Sequence, residues 1–258
     1  MNGKQSRLLA SAGFAAFLFG SSPALAQSLG TAASFAVLGG STVTNTGPSI
    51  IAGDLGVSPG SAVTGFPPGI VIGGTIHAAD AVALQAQNDV TAAYNFLAGQ
   101  ACTTDLTGQD LGGLTLTPGV YCFSSSAQLT GTLTLNGAGL YIFQIGTTLT
   151  TASGSSVTLT NGASACDVWW QVGSSATLGT ATSLPGNILA LTSITLNTAA
   201  SVSGRALARN GAVTLDGNTV SMCGNSLSAV QVPTLSEWGM IMLMSLLALV
   251  AFAALRRH

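Results

Sequence analysis

The chain has 258 residues but only six Lys and Arg and eight Asp and Glu, set among 33 glycines and abundant Thr, Ser and Ala. That composition excludes a charged disordered polymer and an ordinary charged cytosolic enzyme, and it is long enough for one sizeable core. The formal charge is -2, and Lys4, Arg7, Arg256 and Arg257 hold four of the six basic charges at the two ends, so no basic surface is left in the middle to bind nucleic acid.

The first elements are a targeting segment and a helix. Lys4 and Arg7 precede an apolar run over residues 8–19, and Ala24, Leu25 and Ala26 form a small-x-small cleavage site. A signal peptide over residues 1–26 is expected, with the mature chain starting at Gln27, because the apolar run is too short to span a bilayer. Residues 77–98 place Ala79, Val82, Ala83, Ala86, Val90, Ala93, Tyr94 and Leu97 at three-and-four spacing, with Asp80 near the start and Gly99 as a stop. This predicts the one convincing helix of the mature chain, and His77 reads as a helix-start residue.

Beyond the helix the sequence repeats. Four apolar segments, "YIFQI" (141–145), "VWWQV" (168–172), "NILAL" (187–191) and "RALAR" (205–209), are each followed by a Thr-rich segment centred on Leu149, Leu178, Leu196 or Leu215. A third segment then centres on Val157, Leu184, Val202 or Val220. The last repeats are 18 or 19 residues long, and the first is lengthened by the insertion "NGASACD". Three short strands per repeat predict a parallel β-solenoid of triangular section. An antiparallel sandwich is the rival, and the tight period argues against it.

Alternation assigns the faces. On the second segments Leu149, Leu178, Ile194, Leu196, Val213 and Leu215 point inward, leaving Thr148, Thr150, Thr177, Thr195, Asn197, Thr214 and Asp216 outward. On the third segments Val157, Leu159, Leu184, Val202 and Val220 point inward, leaving Ser156, Thr158, Thr160, Ser183, Ser201, Ser203, Thr219 and Ser221 outward. The first segments are apolar on both parities, so that face must be covered, and the helix is the available cover.

Several stretches in one order, "ASFAVLGGSTVTNTGPSIIAGDLGVSPG", "LTPGVYCF", "YIFQIGTTLTTASGSSVTLTNGASACDVWWQVGSSATLGT" and "GNILALTSITLNTAASVSGRALARNGAVTLD", resemble the bacterial and fungal ice-binding protein family. The resemblance covers about Leu29 to Cys223. It implies an all-β-dominated fold, a right-handed discontinuous parallel β-helix with one long α-helix alongside, in which the N-terminal segment docks beside the last coils. It also implies binding to ice or ordered water through one flat face. The family's pattern of Thr, a small residue, any residue, then Thr, Asn or Ser resembles Thr198 to Ser201 and Thr180 to Ser183, which favours the third face. The regular ladder Thr148, Thr150, Thr177, Thr195, Thr214, with Asn197, favours the second face, but Asp216 interrupts it. The third face is therefore the preferred expectation and the second the alternative.

Cys102, Cys122, Cys166 and Cys223 form an even set in a chain expected to be exported, so disulfides are expected rather than a metal site. Cys102–Cys122 would staple the helix end to the following segment, and Cys166–Cys223 would tie the insertion to the last coil. Two other pairings remain open. No cofactor, no metal and no catalytic constellation is expected, because Asp54, Asp80, Asp89, Asp105, Asp110, Asp167 and Asp216 are scattered over different segments.

After the domain (27–223) and a linker (224–231), residues 239–255 form an uncharged run followed by Arg256 and Arg257. At 1.5 Å per residue such a helix spans about 26 Å, enough to anchor in a bilayer. Pro233, Thr234, Leu235, Trp238 and Gly239 precede and open it, and the segment 232–258 resembles the IPTL-type tails of the PEP-CTERM class of sorting signals. The resemblance implies a Gram-negative bacterium, an exosortase-like membrane protease as partner, a membrane-anchored precursor and delivery to the cell surface. A structural or adhesive envelope solenoid without ice activity is the alternative function.

Overall fold

The computed structural model describes residues 28–224; the expected signal peptide, the sorting motif and the apolar tail helix lie outside them. Every strand pairing named below is parallel, and the strands stack on three faces of a solenoid.

The first face runs Thr104–Asp105, Gly119–Phe123, Tyr141–Ile145, Val168–Val172, the ends of Ser183–Ala190 and Ser201–Ala208, then Phe35–Gly39, Asp54–Val57 and Ile76–Ala78. The N-terminal coils thus stack onto the last C-terminal coil, with Val37 opposite Ala206, and the order is discontinuous as the resemblance implies. The second face is a sheet of seven short strands, from Ala127–Leu129 through Leu149–Thr151, Ala176–Leu178, Ile194–Leu196, Val213–Asp216 and Thr42–Thr46 to Ala62–Thr64. The third runs from Thr115–Leu116 and Thr132–Asn136 through Ser156–Thr160 and Thr219–Ser221 to Ile50–Ala52 and Ile70–Ile72.

Two strands differ from the expected three separate segments per coil. Ser183–Ala190 and Ser201–Ala208 run through the corner from the third face to the first without a break. The corner is turned at Gly186 (φ 113°) and Gly204 (φ 156°), and a Cβ at Gly204 would meet the Gly186 backbone, so only glycine lets the two coils approach there.

The corner from the second face to the third repeats one device. Gly131, Gly154, Ala181, Ala199, Gly217, Gly47 and Gly65 all have positive φ, and each coil passes through one of them. Ala181 (φ 55°) and Ala199 (φ 60°) carry the strain of a left-handed residue with a side chain, about 1–2 kcal/mol each. The small second residue of "TATS" and "TAAS" is therefore a corner residue. Thr182, the third residue of "TATS", is fully buried, with its hydroxyl 2.8 Å from the Thr151 hydroxyl.

Inward side chains form one core. Tyr121, Phe143 and Trp170 stack in register, with ring centroids 5.4 and 4.1 Å apart, and the column continues as Ile188, Ala206 and Val37. A second core lies outside the first face, where Ile142, Trp169, Leu189 and Leu207 meet Ala83, Ala86, Val90, Ala93 and Leu97 of the helix. That is why "YIFQI" and "VWWQV" are apolar on both parities.

The helix spans Ala81–Ala98, four residues shorter at its start than the spacing suggests. Ala79 takes a left-handed conformation (φ 54°), and the Asp80 carboxylate caps the helix by accepting from the Ala83 amide at 2.8 Å. His77 consequently lies in the strand Ile76–Ala78 rather than starting the helix; its ring packs 5.4 Å from that of Phe35 and bonds to Asp80. Ala79 and Val82, expected in the buried stripe, are exposed because the helix begins after one and turns the other outward. At the far end the Gln144 amide donates to the carbonyls of Leu97 (2.7 Å) and Gln100 (2.8 Å), so the sheet itself satisfies the helix terminus. Both expected disulfides are present, Cys102–Cys122 with Cα atoms 5.9 Å apart and Cys166–Cys223 at 5.2 Å.

Candidate functional site

The second face carries one long central row of hydroxyls. In stacking order the outward positions are Gln128, Thr150, Thr177, Thr195, Thr214, Thr44 and Thr64, each in direct register with the next. Six consecutive threonines at about 4.8 Å per strand make a ladder roughly 24 Å long. Beneath it Leu149, Leu178, Leu196, Val213 and Val43 are buried, which fixes the strands as a flat support. The branched side chains have few rotamers, so the methyl and hydroxyl positions are held with little entropy left to lose. Within the row only the Thr44 and Thr214 hydroxyls come within bonding distance of each other, at 3.4 Å.

Thr148 and Thr42 flank the ladder on one side and Asn197 and Thr46 on the other. Asp216 does not break the row: it sits two residues beyond Thr214, opposite Thr46, and accepts a hydrogen bond from the Thr198 hydroxyl at the corner. Thr180 and Thr198, expected on the third face, are the residues just before the left-handed corner positions and border the second face instead.

The third face brings together Thr132, Ser156, Ser183, Ser201 and Thr219 in one row, but the row then continues as Ile50 and Ile70. In the neighbouring row Thr158 pairs with Thr134, Ser203 and Ser221 pair with each other, and buried Pro185 lies opposite Ser203. That row ends in Ala52 and Ile72. Some hydroxyls here are spent within the protein: Thr132 and Ser156 bond to each other at 3.0 Å, and Thr160 donates to the Leu135 carbonyl at 3.2 Å. The preferred row of the sequence reading is thus assembled for five coils and is apolar on the last two.

Thr44 and Thr64 were missed by the sequence reading. The signal was the Thr-x-Thr run in "STVTNT" and the docking of the N-terminal segment beside the last coils, which together continue the ladder by two strands.

A family model described as ice-binding-like matches residues 37–221. The chain belongs to the ice-binding-like family. Among its relatives, an ice-binding protein of Nostoc sp. (strain HG1) is 61% identical over 226 residues, which cover 86% of this chain and 83% of the relative. The ice-binding protein of Flavobacterium frigoris (strain PS1) is 35% identical over 209 residues, 75% of each chain. The crystal structure of an ice-binding protein from an Antarctic biological consortium superposes with TM-score 0.74 at 44% identity, covering 85% of this chain and 96% of that one. An ice-binding protein from Arctic yeast gives 0.72 at 33% identity, covering 76% and 94%. The tail matches the IPTL-CTERM motif over residues 231–257.

Within the ice-binding-like domain the carboxylates hold turns. Asp89 accepts from the Thr31 amide (2.7 Å) and hydroxyl (2.6 Å), and these bonds hold its carboxyl below the usual range. Asp80 is lowered by the Ala83 amide and then by His77, and Asp105 by Thr107. Asp54 accepts from the Thr75 amide. Among the described residues no group of three or more His, Cys, Asp and Glu could hold a metal ion.

Proposed function

We propose that this protein binds ice through the second face, with Thr150, Thr177, Thr195, Thr214, Thr44 and Thr64 as the contact row and Thr148 and Asn197 beside it. The observation that carries the proposal is the unbroken register of six threonines on a sheet with a buried underside. Methyl groups favour an ordered layer of water above them, while the hydroxyls between them hydrogen-bond to it, and a contact row without charged side chains imposes no competing hydration geometry. Such a layer can merge with a crystal lattice. The names of the relatives support ice as the ligand, and the Arctic yeast relative is described as having antifreeze activity. They do not favour a merely structural envelope solenoid.

The third face is the second reading. It is supported by its row Ser156, Ser183, Ser201 and Thr219, with Thr158, Ser203 and Ser221 beside it, but exposed Ile50, Ile70 and Ile72 occupy its last two coils. Purified protein at micromolar concentration should shape growing ice crystals and suppress recrystallisation. Unshaped crystals and normal coarsening would exclude ice as the ligand.

The reading also includes export. The segment 1–26 would be removed on secretion, and the IPTL-CTERM match supports a sorting step at the tail. In that scheme residues 239–255 anchor a precursor in the membrane, an exosortase-like protease recognises Pro233, Thr234, Leu235, Trp238 and Gly239, and the product is displayed on or released from a Gram-negative envelope. Retention of the tail in the mature surface protein, read by mass spectrometry, would exclude the cleavage.

A further inference from the structure

The outward row of the first face changes character where the helix ends. In register it runs Leu207, Leu189, Gln171, Gln144, Cys122 and Asp105, apolar under the helix and polar beyond it. Between this polar stretch and Tyr94 and Cys102 lies an open cleft of about 490 Å³, within the roughly 300–1,000 Å³ common for small-molecule sites.

The polar groups that line it have unused hydrogen-bonding capacity. Gln171 is 6% exposed, lines the cleft, and its carboxamide has no hydrogen-bond partner in the described structure. Its amide nitrogen and oxygen are not sealed from solvent but open onto the cleft, so both donors and the acceptor are available to a ligand there, where a leucine would simply extend the apolar row of Leu189 and Leu207. Gln144 uses its amide hydrogens on Leu97 and Gln100, but its Oε1 has only the Cys122 sulfur at 3.3 Å, which in the disulfide has no proton to give. Asp105 uses Oδ1 on the Thr107 amide, and the Ser124 hydroxyl accepts from Thr107, which leaves its own proton to donate. The Tyr94 hydroxyl donates to the Val172 carbonyl at 3.3 Å and can still accept.

We propose that this cleft binds a neutral sugar, with the Gln171 carboxamide as its central donor and acceptor and Gln144, Ser124 and Asp105 around it. No cation lines the cleft and one carboxylate does, so an anion is not matched; a ligand rich in hydroxyls, each able to donate and accept, matches every open group. Adjacent strands hold these groups about 4.8 Å apart, comparable with hydroxyls on opposite sides of a pyranose ring. The site is on a different face from the threonine ladder, so the two surfaces can be occupied together.

Saturation-transfer difference NMR on the purified protein tests this with glucose and trehalose as probes and glucose 6-phosphate as the charged control. Transfer to glucose or trehalose is expected at millimolar sugar, with affinity lowered at least tenfold in Gln171→Leu, unchanged in Thr195→Tyr, and weaker for the phosphorylated sugar. Should Gln171→Leu fail to fold, the exposed Asp105→Ala variant carries the test, with a severalfold loss expected. No transfer to either neutral sugar, or binding by Gln171→Leu equal to that of the unaltered protein, would overturn the proposal.

Discussion

Trp170 sits at the centre of the inner column, fully buried, stacked 4.1 Å from Phe143 at an interplanar angle of 11°, with its indole N–H donating to the Pro185 carbonyl at 3.0 Å. Trp170→Ala removes the ring and leaves a void between two coils, at about 3–5 kcal/mol. It also orphans a buried carbonyl, at about 1–3 kcal/mol. The combined loss of about 4–8 kcal/mol is most of the roughly 5–15 kcal/mol that holds a typical domain folded. Trp170→Phe retains the stack and loses the donor and some volume, at about 1–3 kcal/mol. At about 2–4 °C per kcal/mol for a domain of this size, the phenylalanine variant should melt several degrees lower and the alanine variant should be barely folded. Urea unfolding followed by circular dichroism separates the two. An alanine variant within about 1 kcal/mol of the unaltered protein would refute the reading of the interior as a continuous stack that fixes the outer faces.

Replacing Cys166 and Cys223 together by serine opens a loop of 57 residues and should cost about 4 kcal/mol in urea unfolding; a loss no larger than that from opening the 20-residue Cys102–Cys122 loop would contradict the chain-entropy argument. Arg205 is half-buried, and its guanidinium donates to the Ala33 carbonyl at 2.6 and 3.2 Å and to the Asn187 side chain at 2.9 Å, bolting the N-terminal segment to the last coils. Arg205→Ala should therefore speed amide exchange near Ala32 well before global unfolding, and unchanged exchange there would refute that role. Asp89 has a lowered carboxyl pKa, so the stability it gives is present above the ordinary carboxylate range and is lost as pH falls through that lowered value. Melting temperature followed from pH 6 to pH 2 should fall less steeply in Asp89→Asn, and an identical slope would show that the Thr31 bonds contribute nothing.

The architecture could be read in the sequence because its period is short and strict. "VWWQV" and "YIFQI" show apolar character on both parities, and that pattern has one explanation, a strand with a core on each side; Trp170 and Trp169 indeed face different cores. The faces were legible for the same reason, since alternation in a three-residue strand leaves little freedom. Coil order was not a local property. Thr44 and Thr64 join the ladder only because Val43 pairs with Val213, a contact between residues far apart in sequence that no periodicity announces. The corners were misread because "TAAS" looks like four strand residues; Ala199 takes a left-handed conformation that propensity assigns to glycine, which moves Thr198 to the border of the other face. Asp216 looked like an intruder in the ladder because its partner, Thr198, lies in the preceding coil. The helix start shifted for a similar reason, as Asp80 serves as a cap rather than a first-turn residue.

Thermal hysteresis of two single variants tests the central claim most directly. Thr195→Tyr sets a bulky ring in the middle of the ladder, with Thr177 and Thr214 on either side. Ser201→Tyr sets the same ring in the middle of the third-face row, between Ser183 and Thr219. Thr195→Tyr is expected to abolish hysteresis while Ser201→Tyr retains it, both proteins remaining folded by circular dichroism. Activity retained in Thr195→Tyr and lost in Ser201→Tyr would contradict the assignment and return the ice-binding role to the third face.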